Sequence, residues 1–168
     1  MAVVSDAAAG LRVASRATVL QLRAPGLSAR NLEGQAGELV SSAAIPVVIS
    51  SRCDIALATG AAGVNLPESD IEVAGARQLM RGRLVGRSVH SLESALQAER
   101  EGADYVIFGP VWESASHPAS RPVGVEALAE VSHALHIPVV AIGGVTFERI
   151  AQCHAAGAAG YAAIGLFE

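Results

Sequence analysis

A chain of 168 residues is long enough for one well-buried core and too short for a second domain of ordinary size. It is 51% apolar with mean hydropathy +0.40, yet no run approaches the roughly 18 continuous apolar residues of a membrane helix. A net charge of −4, aromatic residues at 4% and no basic stripe argue against nucleic acid and against anionic membranes as partners.

The N-terminal "MAVVSDAAAG" has no basic segment before its short apolar run, so it does not read as a secretory signal. Strands are predicted at 2–5, 17–22, 46–50, 62–66, 83–88, 104–109, 138–143 and 159–164. Helical patterns fill most of the intervals, at 28–42, 52–59, 71–81, 91–102, 124–135 and 146–156. Ser28 and Ser91 supply N-caps, and Gly102 and Gly157 supply the left-handed residue after a last turn. Cys53 and Cys153 fall in helices without metal-like spacing and read as reduced packing residues of a cytoplasmic protein.

The strands are continuously apolar rather than alternating, as in a parallel sheet covered on both faces. The repeated entries "TGAAGVNL", "EGADYVIF" and "AGAAGYAA" each carry a helix-ending glycine into a strand. The expected fold is a small α/β (β/α)₈ TIM barrel forming one domain over 1–168, against roughly 250 residues for a typical barrel, with an open doubly wound sheet as the alternative. Only "DAAAGLRVAS" separates the first two strands, and little follows the eighth. A shortened first helix and a missing last one would leave apolar wall uncovered, an expectation that favours a homodimer.

Barrel sites are built from loops at the C-terminal ends of strands. Gly143-Gly144 ends the seventh strand and "AIGLF" (163–167) ends the eighth, where bare backbone can hold a phosphate. Gln21 and Arg23, two apart at the end of the second strand, fit a substrate-orienting role on one side. The loop after the sixth strand offers Trp112 to wall a pocket, Glu113 as a partner base and His117 as a proton carrier near neutral pH. His90, at the end of the fifth strand, is its rival, while His133, His136 and His154 read as surface residues.

Taken together, "VLQLR", "LSARNL", "IPVVISSRCDIALATGAAGVNLPESD", "VGRSVHSLESALQAEREGADY", "DYVIFGPVW", "RPVGVEALAEV", "IPVVAIGGVTFERI" and "AGAAGYAAIGLF" resemble the thiamine phosphate synthase and TenI family over nearly the whole chain. The resemblance implies a (β/α)₈ barrel and a phosphorylated thiazole as ligand, its phosphate held by backbone near Gly144, Ile164 and Gly165. It also exposes departures. Where the family's third strand ends Asn-Asp-Arg, with the Asp on Mg²⁺, this chain has Ser50-Ser51-Arg52; the second acidic ligand corresponds to Asp70. His117 stands where a lysine usually grips diphosphate, and "QLRAP" lacks another lysine near position 25. These losses imply weak diphosphate transfer. The reading they favour is a TenI-like, metal-free tautomerisation of a thiazole carboxylate phosphate, although the TenI histidine after the strand-six glycine is Pro110 here. The alternatives are a thiamine phosphate synthase, which would use Mg²⁺, and a barrel that binds the phosphorylated ligand without catalysis.

Overall fold

Strands apolar on both faces must be covered on both, and a closed ring of parallel strands inside a layer of helices does this without leaving an edge. The computed structural model describes residues 1–114 and 121–167. Its strands are β1 (Ala2–Val4), β2 (Leu20–Leu22), β3 (Val47–Ser50), β4 (Gly63–Leu66), β5 (Leu84–Val89), β6 (Tyr105–Phe108), β7 (Val139–Ile142) and β8 (Gly160–Ala162). All pair in parallel and in chain order. The ring closes where Ala163 bridges Ala2, with the Val3 N–H donating to the Ala163 carbonyl at 2.9 Å.

Outside lie α1 (Ala7–Val13), α2 (Ala29–Ser42), α3 (Cys53–Thr59), α4 (Val73–Leu79), α5 (Leu92–Arg100), α6 (Val125–Ala134) and α7 (Ile150–Ala155). The caps form as expected. The Ser28 hydroxyl accepts from the Asn31 N–H at 3.3 Å, and Ser91 forms a reciprocal box with Ser94. Each such cap is worth about 1 kcal/mol. Gly102 and Gly157 take positive φ, 92° and 84°, past the ends of α5 and α7. The short first connection holds a seven-residue α1, capped by Asp6, and a 3₁₀ turn at Ala14–Arg16, so β2 begins at Leu20 rather than at 17. The predicted helix over 146–156 divides into a 3₁₀ turn, Phe147–Arg149, and α7.

The lower barrel is plugged by side chains. Tyr105 pairs in register with Gly86, and a Cβ at Gly86 would fall into the Tyr105 ring. Glycine there makes room for an aromatic ring inside a narrow barrel. One level higher, each strand turns one residue toward the upper opening: Val3, Gln21, Ser50, Asn65, Ser88, Ile107, Ile142 and Ala162. That ring is polar from β2 to β5 and apolar from β6 round to β1.

Candidate active site

Above the ring opens a cavity of about 580 Å³ at the C-terminal ends of the strands. On its polar side Gln21 and Asn65 are almost wholly buried, at 4% and 1% exposure. Gln21 Nε2 donates to the Ser50 hydroxyl at 2.8 Å, and Asn65 Nδ2 donates to the Ser88 hydroxyl at 3.0 Å. Each amide thereby leaves its other polar end, the carbonyl oxygen, buried without a described partner. An unmade hydrogen bond of this kind costs roughly 1–3 kcal/mol, so the pair is poised to accept N–H groups from a bound molecule.

The opposite wall presents backbone. Gly143, Gly144 and Val145 after β7, and Ile164, Gly165 and Leu166 after β8, line the cavity. None of the N–H groups of Gly144, Val145, Ile164 and Gly165 donates to another described residue. Gly143 and Gly144 have φ of 92° and 65°, and β-carbons on them would meet Pro110 Cα at 2.5 Å and Trp112 Cβ at 2.8 Å. Close packing of the strand-six loop is thus part of the reason for two adjacent glycines. Gly165 differs: no atom lies within 4 Å of an added Cβ, so its surroundings are open.

Arg23 lines the mouth and is the only lysine or arginine among the described lining residues. All twelve basic residues of the chain are arginines. His90 also faces the cavity. Its Nδ1 meets the Gly109 carbonyl, which can only accept, so Nδ1 carries the proton and Nε2 of the neutral ring is left as the base. Glu68, another lining residue, has a carboxylate oxygen 3.9 Å from that Nε2.

Sequence reasoning and structure agree in bringing Gln21, Arg23, Gly143, Gly144, Ile164 and Gly165 to one cavity. Trp112 and Glu113 are not among its lining. The Trp112 ring lies instead under the Arg149 guanidinium, 5.1 Å from its centroid, and Glu113 is exposed. His117 lies outside the described residues. Ser50, Asn65, Ser88 and Glu68 were missed, yet Ser50 and Asn65 left a trace, each the lone polar residue of an otherwise apolar strand, whereas Ser88 follows Arg87 in β5. The cysteines are buried and free, His133 and His154 are exposed on α6 and α7, and His136 is exposed in the turn after α6.

The sequence matches the family described as thiamine monophosphate synthase over residues 2–167. The chain belongs to that family. A putative thiamine-phosphate synthase 2 from Aquifex aeolicus is 41% identical over 152 residues, covering 89% of this chain and 82% of the relative. A thiamine-phosphate synthase from Chloroflexus aurantiacus is 40% identical, covering 88% of this chain and 70% of its own length. Among solved structures, a thiamine phosphate pyrophosphorylase from Pyrococcus furiosus superposes with TM-score 0.87 at 29% identity, over 96% of this chain and 83% of that one. The family and the barrel are established by these likenesses, and the relatives' names favour the synthase alternative over the tautomerase reading. No helix among the described residues is long and apolar enough to cross a membrane.

The Mg²⁺ that a synthase of this family implies finds a thin donor set. Ser51 occupies the expected carboxylate position, with φ of 66°. Asp70 does not line the cavity, and its Oδ1 accepts the Ile71 N–H at 2.8 Å. No group of three or more His, Cys, Asp or Glu side chains among the described residues is arranged to hold an ion. A hard dication wants several oxygen ligands, and these residues do not fit it unaided.

Proposed function

We propose that the protein is a thiamine-phosphate synthase, joining a thiazole phosphate to a pyrimidine diphosphate with release of diphosphate. The observation that carries this reading is the division of one cavity into two chemistries. Free backbone N–H groups after β7 and β8 suit a phosphate, with the apolar side chains Ile142, Ala162 and Val3 beneath for a thiazole ring. Across the ring, the unpaired ends of Gln21 and Asn65 suit the polar edge of an aminopyrimidine. Names of relatives at about 40% identity support the same assignment.

Among the described lining residues, Arg23 alone offers a cationic side chain to a leaving diphosphate. Arg23 is positioned at the mouth to take negative charge as the carbon–oxygen bond breaks and diphosphate departs with the electron pair. The described carboxylates do not by themselves make a Mg²⁺ site. The chain's contribution is to hold the two rings in one cavity, a proximity effect.

The test is an assay with both substrates: thiamine phosphate and diphosphate are expected in equal amounts. Absence of both products, with thiazole phosphate still bound, would reject the synthase reading.

One observation favours a second reading. His90, with its tautomer fixed by the Gly109 carbonyl and Glu68 beside its base nitrogen, is equipped to move a proton on a ring held over β7 and β8. A TenI-like tautomerase would then exchange solvent hydrogen into a thiazole carboxylate phosphate, and His90→Gln would stop it. Self-association belongs to the same proposal. A second cavity of about 710 Å³ opens between α1 and the segment after β8, with Val4, Val13 and Phe167 in its wall beside Arg12, Arg16 and Arg23, and a second copy could cover it.

A further inference from the structure

We infer that Arg149 is a positioning residue of the anion site, acting through the backbone of the glycine turn rather than by touching the ligand. Arg149 ends the 3₁₀ turn before α7, is half-buried and does not line the cavity. Its Nη1 donates to the Gly144 carbonyl at 2.6 Å, and its guanidinium lies over the Trp112 ring. The Trp112 N–H in turn donates to the Gly143 carbonyl at 3.1 Å. Both carbonyls of the turn are therefore held by groups that stand outside the cavity lining.

A peptide unit is planar and trans, so its carbonyl and its N–H point in opposite directions. Holding the Gly143 carbonyl fixes the Gly144 N–H, and holding the Gly144 carbonyl fixes the Val145 N–H. Both N–H groups lack a described partner and belong to residues that line the cavity. Gly143 and Gly144, at positive φ, belong to a conformation that glycine enters at no steric penalty but also leaves easily. A flexible turn needs an external tie to keep two donors aimed. Arg149 is suited to this because its planar fork can donate to a carbonyl while stacking on an aromatic face, which a lysine does less well.

The inference rests on the anion reading proposed above, and the two can fail separately. The experiment follows backbone amide resonances of the ¹⁵N-labelled full chain during titration with inorganic phosphate. In the wild type, the amides of Gly144, Val145, Ile164 and Gly165 should all shift. In Arg149→Met, the shift at Val145 should collapse while those at Ile164 and Gly165 persist, with phosphate affinity about tenfold weaker, as for one charge-assisted hydrogen bond lost. Arg149→Lys should keep affinity within about threefold of wild type, since one donor remains. Loss of the positive charge alone would weaken all four responses together. That uniform pattern, or unchanged responses, overturns the positioning role while leaving the anion site standing. If Arg149→Met does not fold, Arg149→Ala takes its place: a response weakened at Val145 relative to Gly165 supports the role, and a uniform one rejects it. No shift at any of the four amides in the wild type removes the anion reading and this inference together.

Discussion

The two halves of the cavity are made of different materials. From β6 round to β1 the floor is apolar and the functional groups are backbone N–H, offered by Gly144, Val145, Ile164 and Gly165. From β2 to β5 the functional groups are side chains: Gln21, Ser50, Asn65 and Ser88, with Arg23 at the rim. Substitution changes a side chain directly, whereas a backbone N–H persists so long as the turn that aims it survives. The backbone half accordingly keeps four N–H groups that donate to no described residue. In the side-chain half a serine, Ser51, stands where the family likeness implies a metal-binding carboxylate, and the cation at the end of β3, Arg52, is paired with Asp54 at 2.6 Å.

The most forceful way to break the comparison is Gly165→Asp. Its surroundings are open, so the new carboxylate adds charge without the clash that the same change would bring at Gly144. Phosphate-ester affinity should fall at least about 100-fold, since like charges brought together cost several kcal/mol, while Gly165→Ala changes it little. Calorimetry on both variants checks this.

On the other half, Ser51→Asp should raise Mg²⁺-dependent diphosphate release by roughly tenfold or more, the scale of one charge-assisted contact. Ser51 already holds a positive φ of 66°, which Asp tolerates better than most residues. An unchanged rate across a magnesium titration would show that the carboxylate position is not what limits this half.

Asn65→Leu separates stability from function. It removes a buried amide with an unpaired end and should stabilise the free protein by about 1 kcal/mol, while lowering synthase turnover about tenfold and leaving phosphate binding intact. A lower melting temperature would mean that the bond from Asn65 to the Ser88 hydroxyl outweighs the unpaired carbonyl end.

The smallest effect concerns Asp54. The Arg52 side chain, first by hydrogen bonding, holds its carboxyl down at about 2. A depressed carboxyl pKa stabilises the fold above the ordinary value near 4 and loses that contribution as pH falls toward 2. Both side chains are well exposed, so Asp54→Asn should cost less than about 1 kcal/mol in thermal unfolding at neutral pH and nothing at pH 2.

Much of this was legible before any coordinates. Strand positions followed from apolar runs, which left closure open until Ala163 was seen to bridge Ala2, and the Gly143-Gly144 and Ile164-Gly165 ends could be read because a bare backbone is visible in sequence as glycine. The polar half was harder to see. Asn65 and Ser88 become a pair only when β4 and β5 lie side by side, and Glu68 meets His90 only through the barrel's curvature. Trp112 was expected to wall the pocket because its loop follows β6. Its ring is instead drawn under Arg149, a residue 37 positions later that no local pattern connects to it.

The claim that one half is intact and the other altered is tested most directly by paired titrations of the unmodified protein without added metal. Thiazole phosphate in one cell and inorganic diphosphate in the other would be compared by calorimetry. The account predicts clear saturable binding of thiazole phosphate, abolished by Gly165→Asp, and diphosphate binding weaker by at least about tenfold. Equal or tighter binding of diphosphate, or thiazole phosphate binding that survives Gly165→Asp, would contradict it.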